Sequence, residues 1–362
     1  MAWLRGPSGA PPRAILGVAL ALAGLGVAGC GSRDEPSAQP STGVVAIGAG
    51  LRGPQGLAAT VYASGLPTAS AFALDARGRL WVATSAASDH RNDAVYLIRR
   101  AGARPVKVIT GVRGPLGLTW YRDRLYVASL GHVEAFSRLD GTRFAKRTAI
   151  LTEPAGHGWN NSIVAATDGR LVMGISSACD HCASASRWSA TIVSFRPDGS
   201  DVRIYAKGIR AGYGLAFYPG TSDLLVSMNQ RDDLGTRTPG DWLAKVTEGD
   251  DWRFPECYGQ GGAACGGVPG PIAVLDKHAA AGAVAVVTGQ LGPSVGTAAL
   301  VSEWQAGRVM RVPLAKGATT TTSVAEPLLT GIRNPLAIAT APDGTLFVGD
   351  WGTGRIYRVA AR

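Results

Sequence analysis

Between His157 and Tyr258 the chain concentrates the side chains that can do chemistry. His157 stands between two glycines at the head of His157-Gly-Trp-Asn-Asn161, and imidazole is the side chain whose ordinary titration falls nearest neutral pH. Ser176-Ser-Ala-Cys-Asp-His-Cys182 is a small paired-cysteine loop, and Asn229-Gln-Arg-Asp-Asp-Leu-Gly235 is a polar loop dense in charge. The run Trp252-Arg-Phe-Pro-Glu-Cys-Tyr-Gly259 closes the stretch. Short β-type runs separate these segments, so they read as loops of a β scaffold that together assemble a site.

Apart from Cys30, the thiols are Cys179, Cys182, Cys257 and Cys265. In an oxidising compartment four thiols suggest two disulfides, and pairing Cys179 with Cys182 and Cys257 with Cys265 needs the least loop closure. Three connectivities stay formally open. A four-cysteine zinc site is the rival, weakened by the long separation of the two pairs and the wide spacing within the second. A redox CxxC centre would want a helix to start after its first cysteine, which Asp180-His181 followed by Ala-Ser-Ala-Ser does not suggest.

What must position these loops is a repeat. The pattern glycine, apolar residue, arginine, three residues, glycine or alanine, apolar residue occurs at Gly111-Val-Arg-Gly-Pro-Leu-Gly-Leu118, Gly208-Ile-Arg-Ala-Gly-Tyr-Gly-Leu215 and Gly331-Ile-Arg-Asn-Pro-Leu-Ala-Ile338. Each copy leads to a second strand: Arg124-Leu-Tyr-Val-Ala, Asp223-Leu-Leu-Val-Ser and Thr345-Leu-Phe-Val-Gly. Two more stretches, Asp75-Ala-Arg-Gly-Arg-Leu-Trp-Val-Ala83 and Thr167-Asp-Gly-Arg-Leu-Val-Met-Gly174, carry only that second half behind a hairpin-type turn. A repeat of several short strands over this length is the mark of a β-propeller blade. Units near 65 to 110, 111 to 151, 158 to 206, 208 to 258, 279 to 329 and 331 to 359 make an all-β, six-bladed β-propeller. The last unit lacks one strand, which Ala58-Ala-Thr-Val-Tyr-Ala63 can supply, closing the ring and leaving no free sheet edge. Loops into the innermost strands converge on one mouth, so Arg113, Arg210 and Arg333 form either a cationic funnel for a multiply charged anion or staples between blades.

Composition agrees with this reading. Forty-nine glycines and 21 prolines, with Val, Thr, Ile and Tyr in short runs, suit frequent tight turns between strands. Only 17% of residues are charged, yet the net charge is +10. Such an excess favours anionic ligands or surfaces, but no basic run is interleaved with aromatics, so nucleic acid is not an expected partner. At the N-terminus Arg5 and Arg13 precede an apolar run, Ala14 to Ala28, too short and too rich in Gly and Ala for a membrane span. Residues 1–29 read as a signal peptide, and Val27-Ala28-Gly29-Cys30 looks like a bacterial lipobox, implying a lipid on Cys30. Residues 30–50 are then a lipidated flexible tether, and 51–362 one propeller domain with a loop insertion at 259–278. The expected location is the outer face of the cytoplasmic membrane, or the periplasm, held by the lipid alone.

Over roughly Leu57 to Val359 the chain resembles the soluble quinoprotein glucose dehydrogenase and sorbosone dehydrogenase family, six-bladed propellers that oxidise sugars with pyrroloquinoline quinone (PQQ). The resemblance rests on the order of the cysteine-pair loop, Phe195-Arg-Pro-Asp-Gly-Ser200, Gly208-Ile-Arg, Gly214-Leu-Ala-Phe-Tyr-Pro-Gly-Thr221, the 229–235 loop, Trp252 to Gly259, Pro342-Asp-Gly-Thr-Leu-Phe-Val-Gly-Asp350 and Arg355-Ile-Tyr-Arg-Val359. It implies a small sugar as substrate, with His157 as general base while hydride passes to a quinone carbonyl polarised by calcium. It also places Arg210 at a cofactor-binding arginine, with Arg113, Arg333 and Asn334 at related positions, because guanidinium groups suit the three carboxylates of PQQ. Calcium takes hard oxygen ligands, and loop carbonyls around Gly235 to Gly240 with Asp232, Asp233 or Asp241 are the implied set.

The chain departs from the family at several of these points. Ala211-Gly212 follows Arg210 where the family carries Asn-Pro or Asn-Ala, and Asp241-Trp-Leu-Ala244 stands for Asp-Glu-Leu-Asn. No basic residue precedes Arg308 in the fifth unit, and Asn334 aligns with an expected arginine while Arg333 lies one position earlier. Two alternatives follow: a non-catalytic extracytoplasmic propeller that binds a sugar or protein partner at the same mouth, and a calcium-dependent lactonase-type hydrolase. The electron acceptor is not legible.

Overall fold

The computed structural model describes residues 43–362 except 87, 156, 185 and 315–322. Cys30, the signal peptide and most of the tether lie outside the described residues. The chain opens with β1 (Val45–Gly48) and β2 (Leu51–Gly53), then β3 (Leu57–Ala63). The first blade is β4 (Ala69–Leu74), β5 (Leu80–Thr84), β6 (Ala94–Ile98) and β7 (Val106–Ile109). The second is β8 (Gly117–Tyr121), β9 (Arg124–Ser129), β10 (His132–Asp140) and β11 (Arg143–Leu151). The third is β12 (Asn160–Ala165), β13 (Leu171–Ile175), β14 (Thr191–Phe195) and β15 (Arg203–Lys207). The fourth is β16 (Gly212–Phe217), β17 (Leu224–Met228), β18 (Trp242–Val246) and β19 (Ala273–Val274). The fifth is β20 (Ala281–Thr288), β21 (Thr297–Glu303), β22 (Arg308–Pro313) and β23 (Glu326–Thr330). The sixth is β24 (Pro335–Thr340), β25 (Leu346–Asp350) and β26 (Arg355–Ala361), completed by β3.

The six-bladed propeller expected from the repeat is therefore present, and the strand at 57–63 closes it, with Leu57 opposite Ala361 and Ala63 opposite Ile356. Two details differ from the sequence reading. Val45–Gly48 falls inside the segment assigned to the tether, yet it forms a hairpin with β2 that extends the outer edge of the fifth blade through Arg52 and Thr330. The 259–278 segment is more than an insertion, because it contains β19, which pairs with β18 and completes the fourth blade. No helix among the described residues is long and apolar enough to cross a membrane.

The repeat motif has a physical explanation. Its first glycine takes a positive φ, +67° at Gly111, +71° at Gly208 and +90° at Gly331, turning the chain out of the preceding blade. The apolar residue after it, Val112, Ile209 or Ile332, is buried and anchors the turn. The later glycine marks where innermost strands nearly touch. A Cβ on Gly117 would lie 2.4 Å from the Asn161 carbonyl, and one on Gly214 2.4 Å from that of Gly282. Hydrophobic clusters fill the spaces between neighbouring blades, as where Trp81 and Leu97 of the first meet Leu125 and Val127 of the second. Short polar side chains stitch the inner seams: Ser70 donates to Pro115 O, Asn161 to Gly212 O, Ser227 to Gly282 O and Ser302 to Leu336 O. Trp351 Nε1 donates to Ser85 O between the sixth and first blades.

Candidate active site

Strands in each blade alternate in direction, so the loops into the innermost strands share one face with those joining second to third strands. His157 lies there, in the loop before β12. Its Nε2 is 2.5 Å from Glu153 Oε1, and its side chain is 34% exposed. The carboxylate four residues earlier holds the ring through one nitrogen and leaves Nδ1 for a ligand. Nearby, Trp159 packs against Gly114, and the His90 ring centroid is 6.0 Å from that of Trp159. Buried Asp93 fixes this side of the mouth, with Oδ2 2.7 Å from His90 Nδ1 and accepting from Gly114 N at 2.7 Å.

Aromatic side chains floor the mouth. Leu116, Tyr213, Ala280, Trp304 and Leu336 form a buried cluster against which Trp159 and Trp351 pack. The rings of Trp304 and Trp351 meet edge to face at 5.5 Å. Trp304 Nε1 is buried without a hydrogen-bond partner among the described residues. The axial channel opens behind this plug as a cavity of about 380 Å³ between the innermost strands.

The three repeat arginines have different fates. Arg210 is buried: its Nε donates to Asp180 O at 3.0 Å, its Nη1 to Asn229 O at 3.1 Å, and its Nη2 to the Asp180 carboxylate. It is a staple between the cysteine loop and the 229–235 loop rather than a free cation of a funnel. Asp180 completes the clamp by accepting from Asp232 N and Asp233 N at 2.9 and 2.8 Å. Arg113 and Arg333 are exposed on the mouth side, and neither makes an ion pair among the described residues. Asn334 is committed to the frame, donating Nδ2 to Trp304 O at 3.0 Å.

The acidic trio is tied up in hydrogen bonds of its own. Asp232 Oδ1 lies 2.7 Å from His278 Nδ1, a contact that raises the His278 pKa. Asp233 is held in a two-point pair by Arg231, which keeps its carboxyl well below the usual range. Asp241 is buried and accepts from Gln230 N at 2.8 Å and Ala281 N at 2.9 Å, yet burial pushes its carboxyl up to about 6. Each carboxylate has its own hydrogen-bond partner, while the charge of Asp232 also reaches Asp241 and helps to raise it. Among the described residues no group of three or more His, Cys, Asp or Glu side chains could hold a metal ion.

Both local disulfides are formed, Cys179 with Cys182 and Cys257 with Cys265. The first brackets Asp180 and His181. His181 Nε2 is 3.0 Å from Pro255 O, and its ring meets Phe254 and Tyr258 edge-on. One tight loop thus ties together the third blade, the 229–235 loop and the 254–258 segment.

No family model and no curated protein matches the chain. Solved structures do. The calcium structure of the Trichoderma reesei Carbohydrate-Active Enzymes Family AA12 protein superposes with a TM-score of 0.71 at 14% identity, covering 86% of this chain and 96% of that one. The PQQ-bound aldose sugar dehydrogenase from Streptomyces coelicolor gives 0.67 at 19% identity, covering 86% of this chain and 100% of that one. The soluble aldose sugar dehydrogenase from Escherichia coli, in its apo form, gives 0.69 at 15%, covering 84% and 100%. The fold is that of the aldose sugar dehydrogenases. At these identities the aldose dehydrogenase likeness speaks for the scaffold, and activity has to be argued from the mouth itself.

Glu153, Asp180 and the tryptophan floor escaped the sequence reading. A histidine and glutamate four residues apart are conspicuous on a helix but carry no such signal in a turn. Asp180 lay in plain view between two cysteines that drew attention to sulfur. The floor residues come from separate blades, and only the ring brings them together.

Proposed function

We propose that the chain is an exported sugar dehydrogenase of the aldose or sorbosone type, lipid-anchored through Cys30, that uses PQQ to remove hydride from a sugar hydroxyl. What supports it is one juxtaposition: a histidine braced by a carboxylate stands at a mouth with an indole floor and two guanidinium groups that make no ion pair among the described residues. These groups suit the cofactor. Arg113 and Arg333 would hold its carboxylates, and the partly exposed indole of Trp351, braced edge to face by buried Trp304, would offer a surface to its planar rings. When bound, the quinone supplies the two-electron acceptor.

The chain's own residues handle the proton. With Nε2–H donating to Glu153, His157 keeps a lone pair on Nδ1 and takes the proton of the sugar hydroxyl as the C–H bond breaks. Glu153 fixes that tautomer. Calcium, which the Trichoderma reesei structure carries by name, would here depend on backbone carbonyls of the 229–241 loop, since its carboxylates are engaged elsewhere. A calcium-dependent lactonase draws no support from the site, because such an enzyme needs carboxylate and amide ligands gathered around one ion.

Titrating the protein with PQQ, followed by absorbance, and then assaying dye reduction with an aldose tests the reading. Binding and turnover are expected, with His157→Ala losing at least about a hundredfold in rate and Glu153→Gln losing less. Arg113→Ala and Arg333→Ala should weaken PQQ binding. Absence of PQQ binding defeats the proposal, while binding without turnover turns it into a ligand-binding propeller.

A further inference from the structure

A second cavity lies at the outer side of the mouth face, on the flank of the fourth blade beneath the loop closed by Cys257 and Cys265, bordered by the loops that carry Arg210 and Gln230. Its volume is about 330 Å³, within the range of small-molecule sites. Trp242 and Trp252, stacked with centroids 4.4 Å apart, line it together with Phe254 and Tyr258. Two side chains lining it are almost wholly buried and incompletely satisfied. Gln230, 2% exposed, donates Nε2 to Tyr258 O at 2.6 Å, but its Oε1 has no partner among the described residues. Trp252, 5% exposed, has no acceptor for Nε1. A buried acceptor and a buried donor left open beside an aromatic-walled cavity are the features a ligand would complete.

We infer that this cavity is a binding site for a single neutral aromatic ring carrying oxygen substituents, of the phenol or hydroquinone class. Stacked indoles favour a flat ring. Neutrality follows from charge: the only charged side chain in the lining is Arg210, whose guanidinium is neutralised by Asp180. A ring hydroxyl can donate to Gln230 Oε1, and a ring oxygen can accept from Trp252 Nε1. A sugar is the wrong shape of polarity, because a hydroxyl on nearly every carbon would face indole, proline and valine with nothing to bond. The site borders the 229–241 loop of the dehydrogenase reading but needs neither PQQ nor turnover to bind its ligand.

Calorimetric titration of the full-length protein with 1,4-hydroquinone, without and with PQQ, tests it. Saturable binding is expected in both, about tenfold weaker in Trp252→Phe, which keeps the ring and removes the donor. Binding should vanish in Val274→Trp, which places an indole over a cavity-lining position that is 60% exposed and outside the core. Glucose should neither bind there nor displace hydroquinone. No saturable heat, equal affinity in both variants, or displacement by glucose overturns the assignment. Val274→Trp carries the test if Trp252→Phe fails to fold, and a loss of PQQ binding alone would strike the active-site reading and leave this one standing.

Discussion

Replacing Asp180 with alanine withdraws the carboxylate from a guanidinium that is only 6% exposed, while Asp180 itself is 19% exposed. Breaking a buried pair from one side costs about 3–5 kcal/mol, because the remaining charge stays desolvated. Partial exposure of Asp180 argues for the lower end, about 3 kcal/mol. The freed amides of Asp232 and Asp233 can turn to water and should add little. With an unfolding entropy of about 2.1 cal/mol/K per residue over roughly 300 described residues, about 3 kcal/mol lowers the melting temperature by about 5 °C. Differential scanning calorimetry on the parent, Asp180→Ala, Arg210→Met and the double variant reads this directly. The double variant should regain part of the loss, since no charge is then left buried alone. A melting temperature for Asp180→Ala within about 1 °C of the parent, or strict additivity in the double variant, would refute the staple and restore Arg210 as a free cation.

Two further expectations concern the frame of the site. Asp241, pushed by burial to about 6, holds its proton between about pH 4 and 6 after the unfolded chain has lost it. The folded state then binds more protons, so stability falls as pH rises through that window by on the order of 2–3 kcal/mol. Asp241→Asn should flatten this slope in melting curves from pH 4 to 7.5, and an unchanged slope would show that another group sets it. Glu303, held by Arg308 at 2.7 Å yet raised by burial to about 7, is the group to examine next. Gly214→Ala would bring a methyl to 2.4 Å from Gly282 O and 2.6 Å from Val284 N, both backbone atoms of the next blade. A drop in denaturation midpoint equivalent to at least about 1–3 kcal/mol is expected, and parent-like stability would contradict the tight inner seam.

The scaffold was legible in the sequence because each blade repeats the same physical problem. A glycine must turn the chain, an apolar residue must anchor it, and a second small residue must let innermost strands approach, so Gly111, Gly208 and Gly331 mark blades wherever they occur. The β1–β2 hairpin was not legible, since Val45 to Gly53 only borders a polar stretch and pairs with a strand far along the chain. The short β19 was hidden for a similar reason, because two residues leave no alternation to read. For the site, residue type pointed to His157 and to the arginine series, but not to their commitments. Whether an arginine is free or spent depends on where a carboxylate such as Asp180 lands, and that is decided by loop paths. The same holds for Asp232, Asp233 and Asp241, neighbours in sequence whose carboxylates bond to His278, Arg231 and the amides of Gln230 and Ala281 respectively.

The ring is fastened by β3, seven residues from the early part of the described chain lying beside seven from its far end. A polypeptide threaded across a membrane from its leading end would wait with β3 unpartnered until residues 355–361 followed. During that wait an edge with Val61 facing outward is open to any other strand, and a chaperone or a second nascent copy could take it. The clasp that makes the finished wheel seamless therefore also makes delivery of the whole chain a condition for assembling the mouth.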